Sequence, residues 1–125
     1  MIETSVCTDP AELDARFREI LERALAEARE AGLDPVVIET YRSQARQDWL
    51  FAQGRTRPGP IVTRARVSKH TSRLAADVCP RVNGRIEWNR RDLFDAWGRI
   101  AKAHGLVWGG DFSFYDGAHV QAAWA

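Results

Sequence analysis

A histidine at position 70, an aspartate seven positions later at Asp77, and a distant His119 preceded by a second carboxylate at Asp116 are the side chains whose types and spacing could do chemistry. Two imidazoles and a carboxylate make a ligand set for a hydrolytic zinc site, and the extra carboxylate is the kind of group such a site uses as a general base. A two-histidine, one-carboxylate set with an open position is one that catalytic zinc uses. The spacing also constrains the backbone. Residues an odd number apart on one flat strand point to opposite faces, so His70 and Asp77 can share a pocket only if the chain bends between them, at Thr71 and Ser72. Asp116 and His119 carry the same requirement, which Gly117 is expected to meet by adopting a positive φ.

The elements that must position these groups follow from the pattern of apolar residues. Asp9-Pro10-Ala11-Glu12 reads as a helix start, with a capping acid, proline in the first turn and a glutamate three residues after the cap. Leu13, Phe17, Ile20, Leu21, Ala24, Ala28 and Ala31 then recur at helical steps as far as Gly32, predicting one long amphipathic helix. The β-branched run from Val36 to Tyr41 predicts a strand that delivers Arg42 and Ser43 at its end, where Ser43 can cap a helix reaching Gly54. Arg42 is either a functional group on a rigid support or the partner of a nearby carboxylate, and the local sequence leaves both open.

Proline, glycine and arginine dominate from Arg55 to Lys69, predicting a loop with one short strand at Ile61-Val62. Leu74 to Val78 reads as a buried strand carrying Asp77, and Asn83-Gly84 as a two-residue hairpin turn returning through Ile86-Glu87-Trp88. Asn89 is expected to cap a helix whose inner face is Leu93, Phe94, Trp97, Ile100 and Ala101, closed by His104-Gly105. Leu106 to Phe112 then forms a strand running into a glycine turn, and His119 to Ala123 a final strand. Three or four antiparallel strands with helices on one side define an α+β domain.

At 125 residues the chain is expected to be one domain, residues 1–125. Its formal net charge of +1 offers no global argument for a nucleic-acid or membrane partner. The distribution says more: no acid lies between Asp48 and Asp77, while Arg55, Arg57, Arg64, Arg66, Lys69 and Arg73 all do. Such a basic approach suits a carboxylate-bearing substrate or an anionic polymer, or is simply a solvated loop. Cys7 and Cys79 are too few and too far apart for a disulfide framework or a thiolate zinc site, and reduced thiols are expected. The start of the chain has no basic, apolar leader, so synthesis without a signal peptide and a cytoplasmic location are expected.

With Tyr41-Arg42-Ser43, Ser68-x-His70, Asp77, Trp108-Gly109-Gly110-Asp111 and Asp116-x-x-His119 in this order, the chain resembles the zinc D-Ala-D-Ala carboxypeptidase and L-alanyl-D-glutamate endopeptidase family, whose fold hedgehog signalling domains share. The resemblance covers about residues 34 to 121. It implies His70, Asp77 and His119 as zinc ligands, Asp116 as general base, Arg42 as the group that binds or polarises the substrate carbonyl, and Ser68 beside the first ligand as a substrate contact. Trp108 is a further candidate for substrate binding. The family motif usually has glycine where this sequence has Arg73. The activity implied is hydrolysis of peptidoglycan stem peptides by a monomer of the phage endolysin type, acting on the wall after release. Cleavage between L-Ala and D-Glu leads, with D-Ala carboxypeptidase activity and a non-catalytic zinc-stabilised binding module as alternatives.

Overall fold

The computed structural model describes residues 4–125. The apolar stripe predicted near the start becomes helix α1, Ala15–Glu30, which buries Phe17, Leu21, Ala24, Leu25 and Ala28. The predicted start at Asp9 is displaced. Asp9 caps only a single 3₁₀ turn, Pro10–Glu12, and the chain restarts at Asp14, whose side chain accepts the N–H of Phe17 at 3.0 Å. Two capping acids within six residues divide the pattern into a turn and a helix.

Strand β1, Pro35–Glu39, stops two residues short of the expected end, and α2 follows over Gln44–Ala52 with Ser43 accepting the N–H of Arg46 as its cap. The long strand β2, Ala75–Val82, turns through Asn83 (φ 51°) and Gly84 (φ 80°) into the short β3, Arg85–Ile86. Both turn residues are left-handed, as an Asn-Gly hairpin turn requires. Helix α3, Arg91–Ala103, begins after Arg90, which makes no side-chain capping bond, so Asn89 is not its cap. The chain closes with β4, Val107–Trp108, a 3₁₀ turn at Gly109–Asp111, and β5, His119–Gln121. Ile61 and Val62 form no strand and their side chains are exposed.

The sheet is antiparallel throughout, in the order β1-β2-β5-β4, with β3 on the far end of β2. The expected α+β class holds, with five strands where three or four were anticipated. Alternation along the central strands gives each face its task. Ala76 and Val78 of β2 and Val120 of β5 join α1 and α3 in the core through Phe17, Leu21 and Trp97. Asp77 and His119 point the other way. Register makes the polar face a row: Glu39 lies opposite Asp77, and Asp77 opposite His119. A bulge between Val37 and Glu39 sets that alignment, because without the extra residue Glu39 would not lie across from Asp77. Helix α2 borders this polar face through Leu50, so the helices are not all on one side.

Trp108, which the sequence leaves as core, cleft wall or substrate contact, is buried by the fold. It is 8% exposed, its indole lies against Gly98 of α3 and against Gly110, and its N–H donates to the carbonyl of Gly117 at 2.8 Å. Trp108 thus backs the loop that carries Asp116. A methyl group at Gly98 would meet the indole carbons at 2.3 Å. Gly98→Ala should therefore lower stability by about 1–3 kcal/mol through overpacking, read from the urea midpoint at unchanged m-value.

Candidate metal centre

The bend predicted between His70 and Asp77 is a compact turn. The Ser68 hydroxyl accepts the N–H of His70 at 3.1 Å, and the N–H groups of Thr71, Arg73 and Leu74 return to the carbonyls of Ser68, His70 and Lys69. Arg73 is left-handed at φ 65°, a conformation that glycine, the residue expected here from the resemblance, adopts without strain. For a non-glycine residue this conformation costs on the order of 1–2 kcal/mol. Arg73 offsets it with bonds to the Glu12 carbonyl and carboxylate at 2.8 and 2.6 Å and by lying 4.0 Å over the Tyr41 ring. The Arg73→Ala variant keeps the strain and loses both contacts, whereas Arg73→Gly loses the contacts and the strain together. Arg73→Ala should be the less stable of the two by about 1 kcal/mol, measured by chemical denaturation.

The second turn differs from expectation. Gly117 is not among the positive-φ residues. Glycine is needed there for space, since a methyl group would lie 2.3 Å from the Tyr115 hydroxyl. Gly109 is equally confined, with a would-be Cβ 2.2 Å from the Asp116 carbonyl oxygen. Gly109's own carbonyl accepts the N–H of Asp116 at 3.0 Å, and the Asp116 carbonyl accepts the N–H of His119 at 3.0 Å. These close contacts hold Asp116 beside the strand that bears His119.

His70, Asp77 and His119 come together so that one ligand atom from each lies within 4.8 Å of the others. His70 Nε2 is 3.2 Å and His119 Nδ1 is 3.6 Å from Asp77 Oδ1. The outer ring nitrogens are already committed. His70 Nδ1–H donates to the Thr40 carbonyl at 2.8 Å, and His119 Nε2–H donates to Gln121 Oε1 at 2.8 Å. With neutral rings, the two inner nitrogens and the carboxylate oxygen therefore turn lone pairs toward a common point. Such a convergence is repulsive unless a proton or a cation sits between them, so the residues fit a metal ion. His70 would bind through Nε2 and His119 through Nδ1.

Electrostatics point the same way. When protons fill the gap in place of a cation, burial alone would raise the Asp77 carboxyl, but the charges and hydrogen bonds of His70 and His119 hold it well below the usual carboxylate range. Burial likewise would lower His119, but Asp77 outweighs it and the ring is raised above the ordinary histidine value. For Asp116, partial desolvation in the cleft and then the nearby negative charge of Asp77 raise the carboxyl.

Of the two options left open by the sequence, the structure displays the second: Arg42 is the partner of a nearby carboxylate. Its Nε and Nη2 donate to the two oxygens of Glu39 at 3.0 and 2.9 Å, and Nη1 donates to Gln47 Oε1 at 2.8 Å. Nη2 also lies 3.7 Å from Asp77 Oδ2. A guanidinium has five N–H donors, so two remain after these bonds. Arg46 completes the clamp with a 2.6 Å bond to Glu39. Thr40 links a further segment: it receives the ring N–H of His70 while its own N–H and hydroxyl donate to the carbonyls of Cys7 and Asp9.

A cleft of about 650 Å³ opens onto the cluster, with His70, Asp77, Asp116, His119, Arg42 and Ser68 all in its lining. Trp108 is absent from it. Glu39, Thr40, Gln47 and Gln121 are the residues that sequence reasoning missed. Only Gln121 carried a usable signal, since it is two positions from His119 and so on the same face of a strand. Cys7 and Cys79 are both free, and burial pushes the Cys79 thiol up to about 11, as befits an inert core residue. His104 caps α3 and contacts Glu27, and Asp111 pairs with Lys102, so neither joins the cluster.

Two histidines and a carboxylate on the floor of an open cleft, with a raised carboxyl and a fixed arginine beside them, define a metallopeptidase type of site. Residues 62–122 match the family model described as D-alanyl-D-alanine carboxypeptidase. Over 124 aligned residues the chain is 35% identical to the peptidoglycan L-alanyl-D-glutamate endopeptidase CwlK of Bacillus subtilis, covering 90% of this chain and 74% of the relative. The chain belongs to the D-Ala-D-Ala carboxypeptidase and L-alanyl-D-glutamate endopeptidase family of metallopeptidases. Its fold is shared by the L-Ala D-Glu endopeptidase ChiX of Serratia marcescens, at 24% identity and a TM-score of 0.71 over 98% of this chain and 93% of that one. The vancomycin resistance D,D-pentapeptidase VanY, solved with Zn(II), aligns at 14% identity and a TM-score of 0.66 over 98% of this chain and 80% of that one.

Protons and metal compete for the inner nitrogens of the cluster. Metal affinity should be full above the raised His119 pKa and should weaken as the pH falls through it, measured by competition with a chromophoric chelator.

Proposed function

We propose that this chain is a zinc-dependent peptidoglycan hydrolase that cleaves the stem peptide between L-Ala and D-Glu. The observation that carries the reading is the convergence of His70, Asp77 and His119 beside Asp116 in one cleft. The likeness to the Bacillus subtilis endopeptidase supports the choice of bond. A zinc ion held by His70 Nε2, Asp77 Oδ1 and His119 Nδ1 would supply the Lewis acidity that makes water a nucleophile near neutral pH.

The rest of the chemistry belongs to the chain's own groups. Asp116 accepts the proton of the attacking water on its carboxylate and returns it to the leaving amine. Its raised pKa, caused by desolvation in the cleft and the charge of Asp77, makes it a better base than an ordinary aspartate. Arg42 offers its two remaining N–H donors to the scissile carbonyl oxygen as negative charge develops there, an effect on the order of 3 kcal/mol for a single donor. The Glu39 and Gln47 bonds fix the guanidinium beforehand, so little reorganisation is needed. Ser68 acts by holding the turn that presents His70.

Removal of a D-Ala terminus is the second reading, favoured by the description of the matching family model. The deciding experiment is digestion of purified peptidoglycan with the zinc-loaded protein and identification of the new ends by mass spectrometry. New N-terminal D-Glu is expected. Released D-Ala would select the carboxypeptidase, and no release would remove both readings. The Asp116→Ala variant should keep one zinc per chain and lose roughly a thousandfold in rate.

A further inference from the structure

The basic segment between Arg55 and Lys69 divides into two kinds of cation. Arg55 donates to the carbonyls of Phe51 and Thr63 and lies 3.8 Å over the Phe51 ring. Arg57 donates to the Trp49 carbonyl and lies 3.7 Å over the Trp49 ring. Both are spent tying the loop to the end of α2. Arg66 stacks on Phe51 at 4.6 Å and lies outside the cleft lining.

Arg64 and Lys69 are different. Both are exposed and both line the cleft that opens onto the metal ligands. Among the described residues, neither side chain has an ion pair or a hydrogen bond. Arg64 is held only by the ring of Phe114, 4.8 Å from its guanidinium, on the loop that leads to Asp116. That contact keeps the charge at the cleft while leaving all five N–H donors free.

The cleft's other charges do not neutralise this pair. Arg42 and Arg46 share the single carboxylate of Glu39, and Asp77 and Asp116 face the metal position. A divalent cation there would leave the lining with an excess of positive charge. A substrate that brings negative charge to Arg64 and Lys69 corrects the imbalance, and one that brings none leaves it.

We infer that Arg64 and Lys69 form an anion subsite that recognises a free carboxylate of the substrate close to the scissile peptide bond. The inference rests on the hydrolase reading above and names what its substrate must carry. A glutamate on the leaving side has two carboxyl groups and the chain continues through only one, so the other is the group recognised. A C-terminal carboxylate has the same chemistry, and the experiment separates the two sources.

The test is calorimetric binding of short stem peptides to the zinc-loaded protein in the Asp116→Ala background, where turnover does not intrude. One peptide pair differs only in the spare glutamate carboxyl, as acid or amide. A second pair differs only in the C-terminus, free or amidated. The glutamate acid should bind about tenfold tighter than its amide, the preference should vanish in Arg64→Gln and Lys69→Gln, and it should shrink as salt is raised. Arg66→Gln should leave it intact, which distinguishes a contact from the general positive field of the loop. A preference for the free C-terminus, lost in the same variants, would keep the subsite and transfer it to the carboxypeptidase reading. Equal binding of acid and amide in both pairs would overturn the subsite, while cleavage by the intact enzyme left the hydrolase standing. Absence of binding together with absence of cleavage would overturn both.

Discussion

A buried carboxylate that must stay ionised is the constraint around which this protein is built. Asp77 sits in the central strand, largely out of water, where a charge is costly unless it is compensated. The two histidines and Arg42 surround it at 3.2, 3.6 and 3.7 Å, and positive charge from Arg42 and from a proton or cation between the rings compensates it. Each of these partners is itself fixed by something outside the cluster. Arg42 is locked by Glu39 and Gln47, His70 by Thr40, and His119 by Gln121. The negative charge thus organises a shell of donors whose own acceptors lie one layer further out.

Sheet geometry makes this arrangement economical. A bulge in β1 and the antiparallel register of β2 and β5 set Glu39, Asp77 and His119 in a transverse row. Every other residue on the same strands faces the core, so α1 and α3 hold the row level from behind. Neither of these helices reaches the cleft, yet the positions of Asp77 and His119 depend on their packing. Trp108 illustrates the division. It lies in the core, filling space between two glycines, and its single polar atom steadies the loop that carries Asp116.

The parts of this design that were legible in the sequence are those encoded by local spacing. The stripe of α1, the Asn83-Gly84 turn and a strand carrying Asp77 depend on neighbours in the chain, and each is present in the fold. His70, Asp77, Asp116 and His119 were legible because their types are few and their order matches a known pattern. What escaped were groups whose partners are set only by tertiary structure. Glu39 reads as one more polar residue at a strand end, and nothing nearby says that two arginines will share it. Asp9 looks like a helix cap until Asp14, five residues on, proves to be the better placed one. Gly117 was assigned a conformational role when its need is for room beside Tyr115, a distinction that spacing does not carry.

Thr40 has a consequence for how the chain's parts depend on one another. Its carbonyl sets the pitch of the His70 ring, while its N–H and hydroxyl grip Cys7 and Asp9. One residue therefore splices a segment remote in sequence onto the back of a ligand. The same residue thus ties the early segment and the His70 ring to one point of the backbone. The early segment therefore belongs to the support of the cluster even though, among the described residues, none of its side chains faces the cleft.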